Sequence, residues 1–157
     1  MLRIKVIVVG RTRAPFLLQG ERFYLERLRR YVKTDWSEVK AARMTKGRPE
    51  AEIIQEEGLA LLKRVGPEDC KIPLDRNGTQ YDSRGLARRL ESLSRHAGGP
   101  VCFLVGGALG LSDEVIGDAN EVLSLSRLTL THEMTRLVLL EQLYRACTIM
   151  AGEKYHK

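Results

Sequence analysis

The sequence predicts an α/β fold, with a mostly parallel five-stranded sheet flanked by helices. Two observations predict it. Short apolar, β-branched runs alternate along the chain with longer stretches of helical spacing, and nearly every changeover carries a glycine or proline. A length of 157 residues with 43% apolar content suits one domain with a real core, spanning 1–157.

The elements follow in order. Ile4–Val9 is a β-branched strand closed by Gly10. Pro15 opens a helix whose apolar positions, from Leu17 to Tyr31, hold helical spacing to about Val32. Trp36 to Met44 alternates loosely and predicts a strand. Thr45-Lys46-Gly47-Arg48 is a basic loop. Pro49 starts a second helix to about Val65, with acids in its first turns where they suit the helix dipole. Cys70–Leu74 is a short strand, and Pro73 inside it predicts an edge position or an early end. Asp75-Arg76-Asn77-Gly78 reads as a turn. Ser83 is a candidate cap for a third helix to about Ala97. Val101–Val105 is the fourth strand, Ser112 caps a fourth helix, and Leu125–Leu130 is the expected fifth strand. The last helix runs from about His132 to Met150. Leu137–Leu140 is apolar at four consecutive positions, which requires cover on more than one side, and a second subunit is the expected cover.

No apolar stretch reaches the roughly 20 residues that span a bilayer, so no membrane association is expected. The opening MLRIKVIVVG runs straight into a strand, without the small-residue site of a leader. Cys70, Cys102 and Cys147 are odd in number and lack CxxC spacing. Reduced thiols in a cytoplasmic protein are expected, with no disulfide and no metal. The net charge of +6 suits a polyanion such as RNA, although many cytoplasmic proteins are as basic. Arg11, Arg13, Lys46 and Arg48 are the candidate phosphate contacts.

Val101–Thr131 organises the chemistry. Gly106-Gly107-Ala108-Leu109-Gly110 is not GxGxxG, and it lacks the Lys and Ser/Thr of a phosphate loop. Small residues after a strand let a ligand approach the backbone closely, and a plain tight turn reads equally well. The Leu125–Leu130 run offers an apolar wall with backbone donors and acceptors, suited to a flat base. His132 and Arg136, and likewise Glu141 and Arg145, are spaced to share helix faces. An internal Glu141–Arg145 ion pair is expected. His132 stands at a strand-to-helix junction and could act as a base near neutral pH.

At this point the sequence resembles a known family. The glycine turn, an SxSxxTxxH segment, RxxxxEQLYRA and a terminal YHK together are similar to the RlmH family of the SPOUT superfamily. Those enzymes are bacterial methyltransferases acting on a pseudouridine of 23S rRNA. The resemblance implies a deep trefoil knot over roughly 70–157 and a homodimer working on the ribosome. It implies S-adenosyl-L-methionine held by Leu74, Gly106, Leu125, Ser126, Arg127, Leu128, Thr129 and Leu130. It places His132, Arg136, Glu141, Tyr155 and His156 in the catalytic group. His132 or His156 would handle the N3 proton, Arg136 would steady the resulting anion, and the tail of one subunit would close over the cofactor of the other. A transfer-RNA enzyme of the same superfamily, or a non-catalytic ribosome-binding factor, are the alternatives. Thr131 replaces the proline common in the family, and Ala108-Leu109 replaces its usual polar pair.

Overall fold

The computed structural model describes residues 2–157. Four strands and five helices alternate: β1 (Arg3–Val9), α1 (Pro15–Leu28), β2 (Lys33–Val39), α2 (Glu50–Leu62), β3 (Cys70–Thr79), α3 (Ser83–His96), β4 (Val101–Val105), α4 (Asp113–Gly117) and α5 (His132–Met150). The sheet order is β2-β1-β4-β3, with every pairing parallel. All strand carboxyl ends therefore share one edge, where ligands of such sheets bind.

Strand alternation divides the core. Ile4, Val6, Val8, Val101, Phe103 and Val105 face one layer, built from α1, α3 and α5. Ile7, Val9, Cys102 and Leu104 face the other, built from α2 and α4. Cys102 and Cys147 are buried, and burial pushes both thiols up to about 12. All three cysteines are free.

The sheet has four strands, not five. Leu125–Leu130 is not a strand, because no neighbouring strand lies beside it. The chain instead runs along β3 over Asn120–Ser124. The Asn120 amide donates to the Lys71 carbonyl at 2.9 Å, and the Ser124 amide to the Thr79 carbonyl at 2.9 Å. That pairing also corrects the turn expected at Asp75–Gly78. The Thr79 amide donates to the Val122 carbonyl at 2.8 Å, and β3 continues through Gly78 as strand. A Cβ on Gly78 would lie 2.6 Å from the Val122 carbonyl oxygen, so only glycine fits. Pro73 does sit on an edge strand.

Three helix starts show their caps. Asp82, rather than Ser83, caps α3 by accepting from the Gly85 amide at 2.6 Å. The Ser83 hydroxyl is free to donate to Gln142 Oε1 at 2.8 Å, tying α3 to α5. Ser112 caps α4. Thr131 caps α5, its hydroxyl accepting from the Met134 amide at 3.2 Å, a role the family's proline could not fill. No helix among the described residues is long and apolar enough to cross a membrane.

Candidate active site

β4 ends at the glycine turn. Gly106 lies so close to the Gly110 backbone that a Cβ there would stand 2.8 Å from its carbonyl carbon. Leu74 of β3 bridges to Leu123 alongside. The Leu125–Leu130 run is braced at its start, where the buried Ser124 hydroxyl reaches the carbonyls of Arg76 at 3.0 Å and Ser126 at 3.1 Å. Ser126 Oγ accepts from the Leu128 amide at 3.0 Å. Beyond that brace, the main-chain groups of Leu125, Arg127, Thr129 and Leu130 bond to no other described residue. Leu125 and Leu130 are half-buried, while Arg127 and Thr129 face solvent. An apolar run with free donors and acceptors can supply an adenosine-like ligand with both stacking surface and hydrogen bonds.

Beneath the turn stands a buried carboxylate. Glu57 of α2 accepts from the Ala42 amide at 3.1 Å, and its Oε1 lies 2.9 Å from where a side chain on Gly107 would begin. Burial raises its pKa above 4.5.

The expected catalytic residues fall into two groups. His132 and Arg136 lie at the start of α5. Arg136 is 0% exposed. Its guanidinium donates to Thr12 Oγ1 at 2.8 Å and to the Val9 carbonyl, while Thr12 donates to the buried Glu21 at 2.6 Å. Nε of Arg136 has no partner among the described residues. Burial raises the Glu21 pKa and lowers that of Arg136. Burial first, then the Arg136 charge, hold His132 below its usual 6.5, so its ring is neutral at pH 7. Glu133 beside it accepts from the amides of Arg13 at 2.7 Å and Ala14 at 3.1 Å, closing the β1–α1 loop onto α5.

Glu141, Tyr155 and His156 form the second group, further along α5. Arg145 joins them at the centre. It donates to Glu141 at 2.6 Å, its guanidinium lies 4.8 Å from the Tyr155 ring centre, and it stands 3.4 Å from His156 Nδ1. The Tyr155 hydroxyl donates to Glu141 at 3.2 Å. Burial and the neighbouring Tyr24 and Glu141 push that phenol up to about 12, so it stays protonated. The Glu141–Arg145 ion pair is as expected. The additional contacts of Arg145 with the tail are not legible in the sequence.

Thr12, Glu21 and Glu57, all buried, are among the polar residues also missed. Two left a signal. Leu17, Glu21, Leu25 and Leu28, and likewise Ile53, Glu57 and Leu61, run at helical spacing, so each glutamate sits on an apolar stripe. Among the phosphate candidates, Arg48 is committed internally, to Glu52 at 3.0 Å, Glu56 at 3.3 Å and the Arg43 carbonyl at 2.9 Å. Arg11, Arg13 and Lys46 remain exposed.

A parallel sheet with a glycine turn and an open-backbone run at its carboxyl edge can seat a nucleoside-like ligand. The family model described as predicted SPOUT methyltransferase matches residues 2–156, and the chain belongs to that family. Its similar relatives include proteins named ribosomal RNA large subunit methyltransferase H. That of Anaeromyxobacter sp. (strain Fw109-5) is 43% identical over 156 residues, covering 99% of this chain and 100% of the relative. That of Bacillus cereus (strain ATCC 10987 / NRS 248) is 39% identical over 159 residues, with 99% and 100% covered. Among solved structures, the fold is similar to a probable methylase family protein from Haemophilus influenzae Rd KW20, with a TM-score of 0.57 at 15% identity over 98% of this chain and 70% of that one. It is also similar to a probable methyltransferase from Bordetella pertussis Tohama I, with a TM-score of 0.56 at 16% identity over 93% and 96%.

Proposed function

We propose that this chain methylates N3 of a pseudouridine in 23S rRNA on the assembled ribosome, as a cytoplasmic homodimer using S-adenosylmethionine. Its relatives carry the name of a large-subunit rRNA methyltransferase along their whole length. The observation that carries the reading is the unpaired main chain of Leu125, Arg127, Thr129 and Leu130, which follows the Leu123 bridge to Leu74. These are the positions the family resemblance assigns to the cofactor, and their donors, acceptors and apolar walls fit adenosine. The path of Asn120–Ser124 along β3 suits a trefoil knot over roughly 70–157. Such knots are a rare exception to unthreaded topology.

The bound cofactor supplies an electrophilic sulfonium methyl group. The residues of this chain must prepare the nucleophile, an imide nitrogen that has to lose its proton. His132, neutral at pH 7 and set at the mouth of α5, can accept it directly. His156 is the second candidate base, with its Nδ1 3.4 Å from the Arg145 guanidinium. Arg136 is too enclosed to touch a base. It holds the ends of β1 and α5 together and so positions His132. Arg145, held by Glu141 and packed on Tyr155, is the partly exposed cation able to steady negative charge on the uracil ring. We assign Tyr155 and His156 to the catalytic side of the neighbouring subunit's active site. Mass mapping of 23S rRNA from cells with and without the gene tests the assignment. One N3-methyl mark should vanish on deletion, and an unchanged methylation map rejects it.

A further inference from the structure

A cleft of about 600 Å³ opens beside the cofactor run, lined by Arg76, Asn77, Gly78, Gln80 and Arg127. We infer that this cleft is a phosphate subsite for the backbone of the RNA substrate, with Arg76 and Arg127 as its two cations. The inference rests on the methyltransferase reading above and adds where the RNA strand is gripped.

Four observations point there. Neither arginine forms an ion pair among the described residues, whereas Arg48, Arg89 and Arg145 each have a carboxylate. The nearest acid in the chain, Asp75, turns its carboxylate onto the Asn77 amide at 2.9 Å. Asn77 and Gln80 add neutral amide donors of the kind that accompany arginine at phosphates. The floor is also rigid. The Ser124 hydroxyl grips the Arg76 carbonyl, and Gly78 fits against Val122 with no room for a side chain. A rigid floor lowers the ordering cost of seating a charged ligand.

Exposure decides which anion the cleft receives. Arg127, Leu128 and Thr129 face solvent, with Leu128 76% exposed, while Leu123 and Ser124 are buried. The open guanidiniums suit a strand laid across the rim, and the exposed Leu128 beside Arg127 offers an apolar surface to a splayed base. The carboxylate of a small enclosed cofactor would need cations directed inward. Because Arg127 belongs to the run assigned to the cofactor, a strand held here has its bases next to the methyl donor. The grip then orients as well as binds.

The test uses the full-length chain with Arg76→Gln, Arg127→Gln and the double substitution, with Arg76→Lys and Arg127→Lys as charge-keeping controls. Binding of a single-stranded uridine oligonucleotide is measured against salt, and cofactor affinity by calorimetry. Each Gln substitution should flatten the slope of log K against log salt by about 0.7, the contribution of one phosphate contact on a single strand. The Lys variants should keep the wild-type slope, and cofactor affinity should not change in the Arg76 variants. An unchanged slope in the double Gln variant overturns the inference, as does loss of cofactor affinity without a change in slope. The methylation map of the wild-type chain is scored separately. A present N3-methyl mark with unaltered slopes rejects the subsite alone, and an absent mark rejects the enzyme reading.

Discussion

Buried polar residues carry most of the information at the scale of single side chains. Arg136, Thr12 and Glu21 form one linked set inside an otherwise apolar layer. Removing the arginine strands both partners. Arg136→Ala should cost about 3 kcal/mol, read from urea unfolding, and a loss below about 1 kcal/mol would show that the network is dispensable. Glu57 makes a distinct pH prediction. Its pKa is raised in the fold, so the native state holds the proton more tightly than the unfolded chain. Stability from this group is full below 4.5 and is lost as pH rises through the folded value. Glu57→Gln removes that loss. The melting temperature of the variant should therefore gain on wild type as pH rises from 4.5 toward 7, and a constant difference across that range would contradict the assignment. For the tail cluster, His156→Ala and Glu141→Gln should each lower methyl transfer at least tenfold while cofactor affinity, followed by calorimetry, holds. Equal loss of both would place the cluster in cofactor binding. The glutamates were readable as acids on apolar stripes. The partners of Arg136 were not, because Val9, Thr12 and Glu21 are far from it in sequence and meet it only through tertiary packing.

At the scale of elements, the first and fourth strands and the boundaries of α5 were legible because period and punctuation agreed there. Ile4–Val9, Val101–Val105 and His132–Met150 are examples. The strand expected over Trp36–Met44 instead occupies Lys33–Val39, because its register is set by pairing with β1 rather than by its own alternation. Two further segments were not legible. Leu125–Leu130 has strand composition, yet strand formation needs a neighbour, and composition carries no information about neighbours. Asp75–Gly78 has turn composition but continues β3, because Val122–Ser124 supplies the pairing that turn residues otherwise forgo. Gly78 is the sharpest test of that junction. Gly78→Ala should destabilise by about 1–3 kcal/mol through contact with the Val122 backbone, measured by denaturant titration, and a neutral effect would mean the segments can separate freely.

For the whole molecule, the distribution of layers decides how the site is assembled. Three helices cover one face of the sheet and two cover the other. The run Leu137–Leu140 splits accordingly, with Leu139 and Leu140 buried on the core side and Leu137 and Val138 half-covered. Leu137 rests on α1 at Gly20. Part of the cover expected from a second subunit therefore comes from within the chain. The proposed homodimer should nevertheless register as twice the 17.8 kDa chain mass by light scattering, and a monomer at micromolar concentration would remove the partner from the site. The general architecture was legible because alternation of strand and helix admits few topologies. The pairing partner of each carboxyl-half segment was not, since nothing local encodes it.

The pairing of Asn120–Ser124 with β3 also bears on the life of the chain in the cell. The proposed cofactor walls come from segments about fifty residues apart, and they meet only after the last third of the polypeptide has been placed. A ligand bridging them stabilises the native state by mass action, by about 2.7 kcal/mol at a hundredfold excess over its dissociation constant. Supply of the methyl donor would then govern how long the carboxyl half resists proteases, and scarcity of the donor would shorten the survival of the protein.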